Sequence, residues 1–194
     1  MLFRSHHALR GFYLELPGVD PEVAYACRAA AAALADHAPA DVADALFAGF
    51  SPALEAYHAI VALEAWQVHR SWAEANRSRY DPVVWQRLQR HREISPEQAT
   101  ASRRVVETVR ATWAEYFRRY DFLVMPACPT PAPTKAECNL EMRNRLIRIT
   151  APASLGGLPV LSLPVALPSG LTAGLQVVAA RSDSPVFHWA LRRT

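Results

Sequence analysis

The chain has 194 residues, of which 51% are hydrophobic and 20% charged, with a formal net charge of +3. This length and balance support one good-sized domain with its own core and exclude a mostly disordered chain. The positive excess is arginine, Lys135 being the single lysine, and Arg103, Arg104, Arg110, Arg118 and Arg119 alternate with glutamates at helical spacing, a solvated surface and not a nucleic-acid face.

In chain order, Gly11 to Leu16 alternates bulky residues between a glycine and Pro17, which predicts a short strand. Asp20-Pro21-Glu22-Val23 supplies an N-cap, a proline at the first helical position and an acid in the first turn, so a helix is expected from here to about His37. Ala38 to Phe50 reads as loop or short helix. Ser51-Pro52 opens another helix by the same device, running to Asn76 with Tyr57, Ile60, Val61, Trp66 and Val68 on roughly one side, and a shorter one begins at Asp81-Pro82. Ser95-Pro96-Glu97-Gln98 is a capping-box pattern. From there Val105, Val106, Val109, Trp113, Tyr116, Phe117 and Tyr120 recur at spacings of three and four, a long amphipathic helix with one buried stripe.

Past Asp121 the texture changes. Phe122 to Met125 is fully apolar and closed by Pro126, which predicts a central strand. Cys128 to Lys135 is too rich in proline to be anything but loop, Asn139 to Arg148 reads as helix, and Ser154 to Pro159 as a turn-rich bend. Val160 to Val165 and Gly174 to Ala180 are apolar strands separated by Pro168-Ser-Gly170, and Ser184-Pro185 starts a last helix. The three strands are expected in one sheet with the Ser95 to Tyr120 helix across a face, giving a single α/β unit over residues 1–194. The longest apolar run noted, Ala24 to Ala35, is interrupted by Arg28, so no membrane span is expected; Met1 to Arg10 lacks the pattern of a signal peptide, and a cytoplasmic location follows.

The chemistry-bearing residues are sparse. Cys27, Cys128 and Cys138 are odd in number and far apart, which predicts free thiols in a reducing compartment. His6 and His7 are adjacent and face apart in a strand, while His58, His69 and His91 fall on different elements, so no metal site is expected. His188 beside Trp189 reads as a packed or surface histidine. Glu137 and Glu141, four apart, would share one helix face as a solvated pair. Cys128 follows the end of a strand, where α/β sheets place ligands, but has no histidine close in sequence. No nucleophile elbow, phosphate loop or dinucleotide fingerprint occurs, and no cofactor is implied.

Several segments together resemble the amidase signature family: Gly18-Val-Asp-Pro-Glu-Val23, Tyr120-Asp-Phe-Leu-Val-Met-Pro-Ala-Cys-Pro129, and above all Thr150-Ala-Pro-Ala-Ser-Leu-Gly-Gly-Leu-Pro-Val-Leu-Ser-Leu-Pro164, continued by Pro168-Ser-Gly-Leu-Thr-Ala-Gly-Leu-Gln-Val-Val-Ala-Ala180. The likeness is to the family's C-terminal half, and most to its carboxybiuret and ureido-compound amidohydrolase branch. Prolines 152, 159 and 164 with Gly156 and Gly157 are read as a tight return between strands. The resemblance implies the C-terminal part of the amidase signature fold, a mixed twisted sheet flanked by helices. It also implies an amide hydrolysis in which one serine attacks, a second in a cis peptide relays the proton and a lysine is the ultimate base, with backbone amides as oxyanion hole.

In that family these groups precede the part matched here, no Gly-Gly-Ser-Ser-Gly-like stretch occurs, and Lys135 matches nothing catalytic. The reading therefore assigns no catalytic residue and expects a partial domain that is inactive alone. It expects substrate-binding residues at Cys128, Arg143, Arg148 and Thr150, arginine being suited to a carboxylated or ureido substrate. The expected partners are a missing N-terminal amidase half or further copies of the chain, and a small helical accessory protein. Two rivals stay open: a non-catalytic subunit or binding module, and a thiol enzyme centred on Cys128.

Overall fold

A computed structural model describes residues 8–193; His6 and His7 lie outside the described residues. Five strands form one mixed sheet in the order β2-β1-β3-β5-β4. β1 (Gly11–Tyr13) runs parallel to β2 (Asp36–His37) and to β3 (Phe122–Pro126), whereas β5 (Thr172–Ala179) is antiparallel to β3 and to β4 (Val160–Ala166). All three strands expected from the apolar runs thus share a sheet. β3 is its middle strand and is buried at every residue, as an unbroken apolar run requires when both faces are covered.

Strand alternation divides the interior in two. Leu14, Leu123, Met125 and Val178 point to one face, where Val109, Trp113, Tyr116, Ala151 and Leu155 cover them. Tyr13, Phe122, Val124, Leu175 and Val177 point to the other, against Val23, Cys27 and Val186. The first layer is built from α2 (Ala40–Phe50), α3 (Ala53–His69), α5 (Pro96–Phe117) and α6 (Leu140–Gly156). The second is built from α1 (Pro21–Ala31) and α7 (Pro185–Leu191), while α4 (Pro82–Gln89) packs outside against α3.

The long helix α5 begins as its sequence predicts. Ser95 Oγ accepts from the Gln98 amide at 3.2 Å, and Gln98 Oε1 accepts from the Ser95 amide at 2.9 Å. Ser95→Ala leaves the Gln98 amide without this partner and is expected to lower stability by about 1 kcal/mol, measured as a shift of the urea midpoint at constant m. At the other end Tyr116 donates its hydroxyl to the Phe122 carbonyl at 2.7 Å and accepts from the Phe12 amide, which ties α5 to β1 and β3.

Four expectations are corrected. α1 stops at Ala31, not near His37: the alanine run has helix propensity but no long side chains to hold a further turn, and Asp36–His37 instead pairs with Phe12–Tyr13. α3 ends at His69, short of the expected Asn76, and is followed by a 3-10 stretch at Glu74–Arg79, while of the two readings left open for the segment before it the helix holds, over Ala40–Phe50. α6 continues through Pro152 to Gly156, where a bend was expected. Its end is set by Gly157, whose φ of +67° is the left-handed conformation of a helix C-cap, so the return runs from helix to strand and not between two strands. Glu137 precedes α6 and shares no helix face with Glu141; its carboxylate accepts from the amide and hydroxyl of Thr134, which hold it below the usual range.

Taken as one stretch, Ala40–His69 is long and apolar enough to cross a membrane by length and composition. The chain turns between α2 and α3 within that stretch, and both helices pack on α5.

Candidate functional site

At the carboxyl ends of the parallel strands β1 and β3 lies a cavity of about 250 Å³. Leu14, Leu16 and Pro17 follow β1 into it, and Met125 comes from β3. Phe47, Phe50 and Ser51 close it from the end of α2, and Arg148, Ile149 and Pro152 from one side of α6. Such a crevice, beyond the carboxyl ends of parallel strands, is where open α/β sheets hold ligands. The walls are apolar, and Arg148 is the charged residue among them. Its side chain is exposed at the rim and takes part in none of the ion pairs among the described residues. An unpaired planar guanidinium above an apolar floor can take a carboxylate or urea oxygen through two parallel hydrogen bonds.

The other three expected binding residues are not brought to this cavity. Cys128 packs with the opposite core, across the sheet from Arg148, and its sulfur accepts from the Gly174 amide at 3.4 Å. Cys27 donates to the carbonyl of the same glycine at 3.5 Å. Burial, with the neighbouring Cys128, pushes the Cys27 thiol up to about 12, so it stays protonated and unreactive. Thr150 turns its hydroxyl back to the Leu146 carbonyl at 3.3 Å within α6. Arg143 is five residues before Arg148, which places it roughly 140° around the helix at 3.6 residues per turn. It is not among the residues that line the cavity, and its guanidinium Nη1 is enclosed without a hydrogen-bond partner.

One positioning residue was missed. Gln176 is buried in β5 and donates to the Pro126 carbonyl at 2.9 Å, fixing the end of β3 where Met125 enters the cavity. A glutamine inside the apolar run Leu175 to Ala180 was the available signal.

No serine–base pair occurs among the described residues. Ser154 lies on a groove with Glu64, Arg103, Glu107 and Arg110, and Ser162 is exposed on the edge strand β4. His58 is bonded to Asn144 at 3.0 Å, His69 to Tyr80 at 2.9 Å, and His91 to the Leu88 carbonyl at 2.6 Å while stacking on Trp66. Among the described residues no group of three or more histidines, cysteines or carboxylates could hold a metal ion.

A family model described as Amidase matches residues 8–185. The A subunit of glutamyl-tRNA(Gln) amidotransferase from Tropheryma whipplei (strain TW08/27) is 33% identical over 91 residues, 45% of this chain and 17% of that protein. Its mitochondrial counterpart from Pyricularia oryzae (strain 70-15 / ATCC MYA-4617 / FGSC 8958) is 41% identical over 74 residues, 34% of this chain and 14% of that protein. Among solved structures, a crystal structure of an amidase superposes with a TM-score of 0.77 at 25% identity, covering 93% of this chain and 44% of the other. A structure from a vestigial protein complex bearing on the origins of an s-triazine catabolic enzyme superposes at 0.78, with 20% identity, 96% of this chain and 42% of that one. Allophanate hydrolase of Kluyveromyces lactis also gives 0.78, with 17% identity, 94% of this chain and 31% of that one. The chain therefore spans less than half the length of each of these proteins. With a family match over nearly the whole described chain and a mixed, helix-flanked sheet common to these structures, the chain belongs to the amidase family.

Proposed function

We propose that residues 1–194 form one partial amidase domain that supplies the carboxyl-terminal wall of an amide-hydrolysing site and is inactive alone. The nucleophile, proton relay and base then come from a front half carrying the family's serine–serine–lysine set. The observation behind this is the cavity at the ends of β1 and β3, which offers an apolar floor and an unpaired arginine but no activated nucleophile among the described residues. Of the four binding candidates, Arg148 is the one in reach of a ligand there, and the substrate is a small amide with a carboxylate or ureido group. Likeness in fold to the s-triazine complex and to allophanate hydrolase supports a ureido compound of the carboxybiuret kind. Beyond the front half, the open edges of β2 and β4 suit self-association, and a small helical accessory protein is a further partner. The thiols at Cys128 and Cys138 fit a reducing, cytoplasmic compartment.

The test mixes the purified chain with a family front half and follows hydrolysis of carboxybiuret-like amides. Removing one charge-assisted bidentate contact costs about 1.5–3 kcal/mol, so Arg148→Ala is expected to lower kcat/KM of the mixture roughly 10–150-fold. Arg148→Lys should recover only part of this, since an ammonium cannot form the fork. Unchanged kinetics in Arg148→Ala would remove Arg148 from the site. The absence of a serine–base pair among the described residues favours one second reading, a non-catalytic binding module; there the mixture stays inactive while ligand still binds the chain.

A further inference from the structure

The cavity at the ends of β1 and β3 is polar only at its mouth. Of the described residues that line it, Ser51 and Arg148 alone have polar side chains, and both are exposed. The backbone adds little. The Leu14 amide donates to the Val124 carbonyl at 2.8 Å, and the Ser51 amide to the Phe47 carbonyl at 2.9 Å. The Pro152 carbonyl accepts from Trp113, and neither Pro17 nor Pro152 has an N–H to offer. A polar group pushed to the floor would give up its bonds to water and gain none in return.

The floor suits an apolar group instead. Leu14, Met125 and Ile149 are buried there, with Phe47 and Phe50 half-buried at the sides. Apolar cavities of about 150 Å³ take up a benzene ring. The space here is about 250 Å³, enough for a branched or aromatic side chain together with the atoms that join it to the rest of a ligand.

We propose that this cavity takes the side chain of an N-acylated apolar amino acid, such as the N-carbamoyl derivative of phenylalanine or leucine, whose carboxylate pairs with Arg148. In such a molecule the carboxylate, the side chain and the acylated nitrogen all leave one carbon. With the carboxylate on the guanidinium fork at the rim and the side chain below it, the nitrogen and its acyl group stay at the mouth. The proposal rests on the reading of this cavity as a substrate wall, and it narrows a small amide with a carboxylate to one that also carries an apolar body. N-carbamoylglycine, which has the ureido group and the carboxylate but no such body, leaves the floor empty.

Isothermal titration of the full chain with N-carbamoylphenylalanine, N-carbamoylglycine and N-carbamoylphenylalanine amide separates these contributions. The first two differ only in the benzyl group, and the first and third in the charge. N-carbamoylphenylalanine is expected to bind saturably and roughly 10–150-fold more tightly than N-carbamoylglycine, the gain from burying one aromatic side chain. The uncharged amide should bind about tenfold or more weakly than the acid, and Arg148→Gln should weaken the acid by a similar factor while affecting the amide less. Ser51→Trp, made at an exposed position, fills the mouth and should abolish binding of all three. Equal binding of the phenylalanine and glycine compounds would overturn the apolar ligand and leave the substrate wall standing. No saturable binding of any of the three, or binding that neither Arg148→Gln nor Ser51→Trp weakens, would overturn both.

Discussion

Trp113→Ala is expected to lower stability by about 3–5 kcal/mol, a large fraction of the roughly 5–15 kcal/mol that holds a domain folded. Trp113 is 2% exposed and stacks near-parallel on Phe117 with ring centroids 5.4 Å apart, with Phe50 at 4.8 Å on a tilted plane. Its indole Nε1 donates to the Pro152 carbonyl at 2.9 Å inside the core. Truncation thus leaves a void and also strips a buried carbonyl of its donor, two costs that add because the surrounding helices relax only partly. Trp113→Phe keeps much of the volume and loses mainly the hydrogen bond, so it should cost about 1–3 kcal/mol. Urea unfolding of both variants measures this; an alanine variant within about 1 kcal/mol of the parent would show that α5 is held elsewhere. The loss should also reach the cavity, because Phe50 and Pro152 belong to its wall.

The same residues show what the amino-acid pattern reveals and what it hides. The capping box at Ser95 and the spacing of Val109, Trp113 and Tyr116 are local signals, and α5 begins and buries its stripe as they require. The run Phe122 to Met125 carries its own answer, since only a strand covered on both faces is apolar at every position. Pro152 misleads because a proline inside a helix usually marks an end. Here Ala151, Ala153 and Leu155 are buried in the core on either side of it, and Trp113 binds its carbonyl, so packing carries the helix past a missing backbone donor. Arg143 and Arg148 already shared the helix expected from Asn139 to Arg148, where five residues apart they face different ways; which of the two meets a cavity depends on what packs on each side of α6, and it is Arg148. Cys128 was legible as a residue just past a strand end, but which sheet face it joins depends on the path of the loop. Leu14, Phe47 and Met125 line the cavity with side chains that a sequence cannot distinguish from core.

The purified chain alone is expected to leave amides unhydrolysed, and a mixture with a serine–serine–lysine front half to exceed it by at least about 10³-fold. A serine hydroxyl attacks an amide only with a base in hydrogen-bond reach and donors aimed at the developing oxyanion. Ser154 shares its groove with glutamates and arginines, Ser162 sits on the outer strand, and no hydrogen bond links either to a histidine or to Lys135 among the described residues. The histidines that could serve as base are committed elsewhere: His58 to Asn144 and His69 to Tyr80. A thiol route fares no better, because Cys27 is held protonated by burial and Cys128 faces the core opposite the cavity. Ser154→Ala, Ser162→Ala, Lys135→Ala and Cys128→Ala should therefore leave the activity of the mixture within about threefold, while Arg148→Ala lowers it through the lost guanidinium fork. Turnover by the chain alone that disappears in Ser154→Ala or Lys135→Ala would reverse this assignment, since it would mean that solution dynamics assembles a nucleophile and base that the folded arrangement keeps apart.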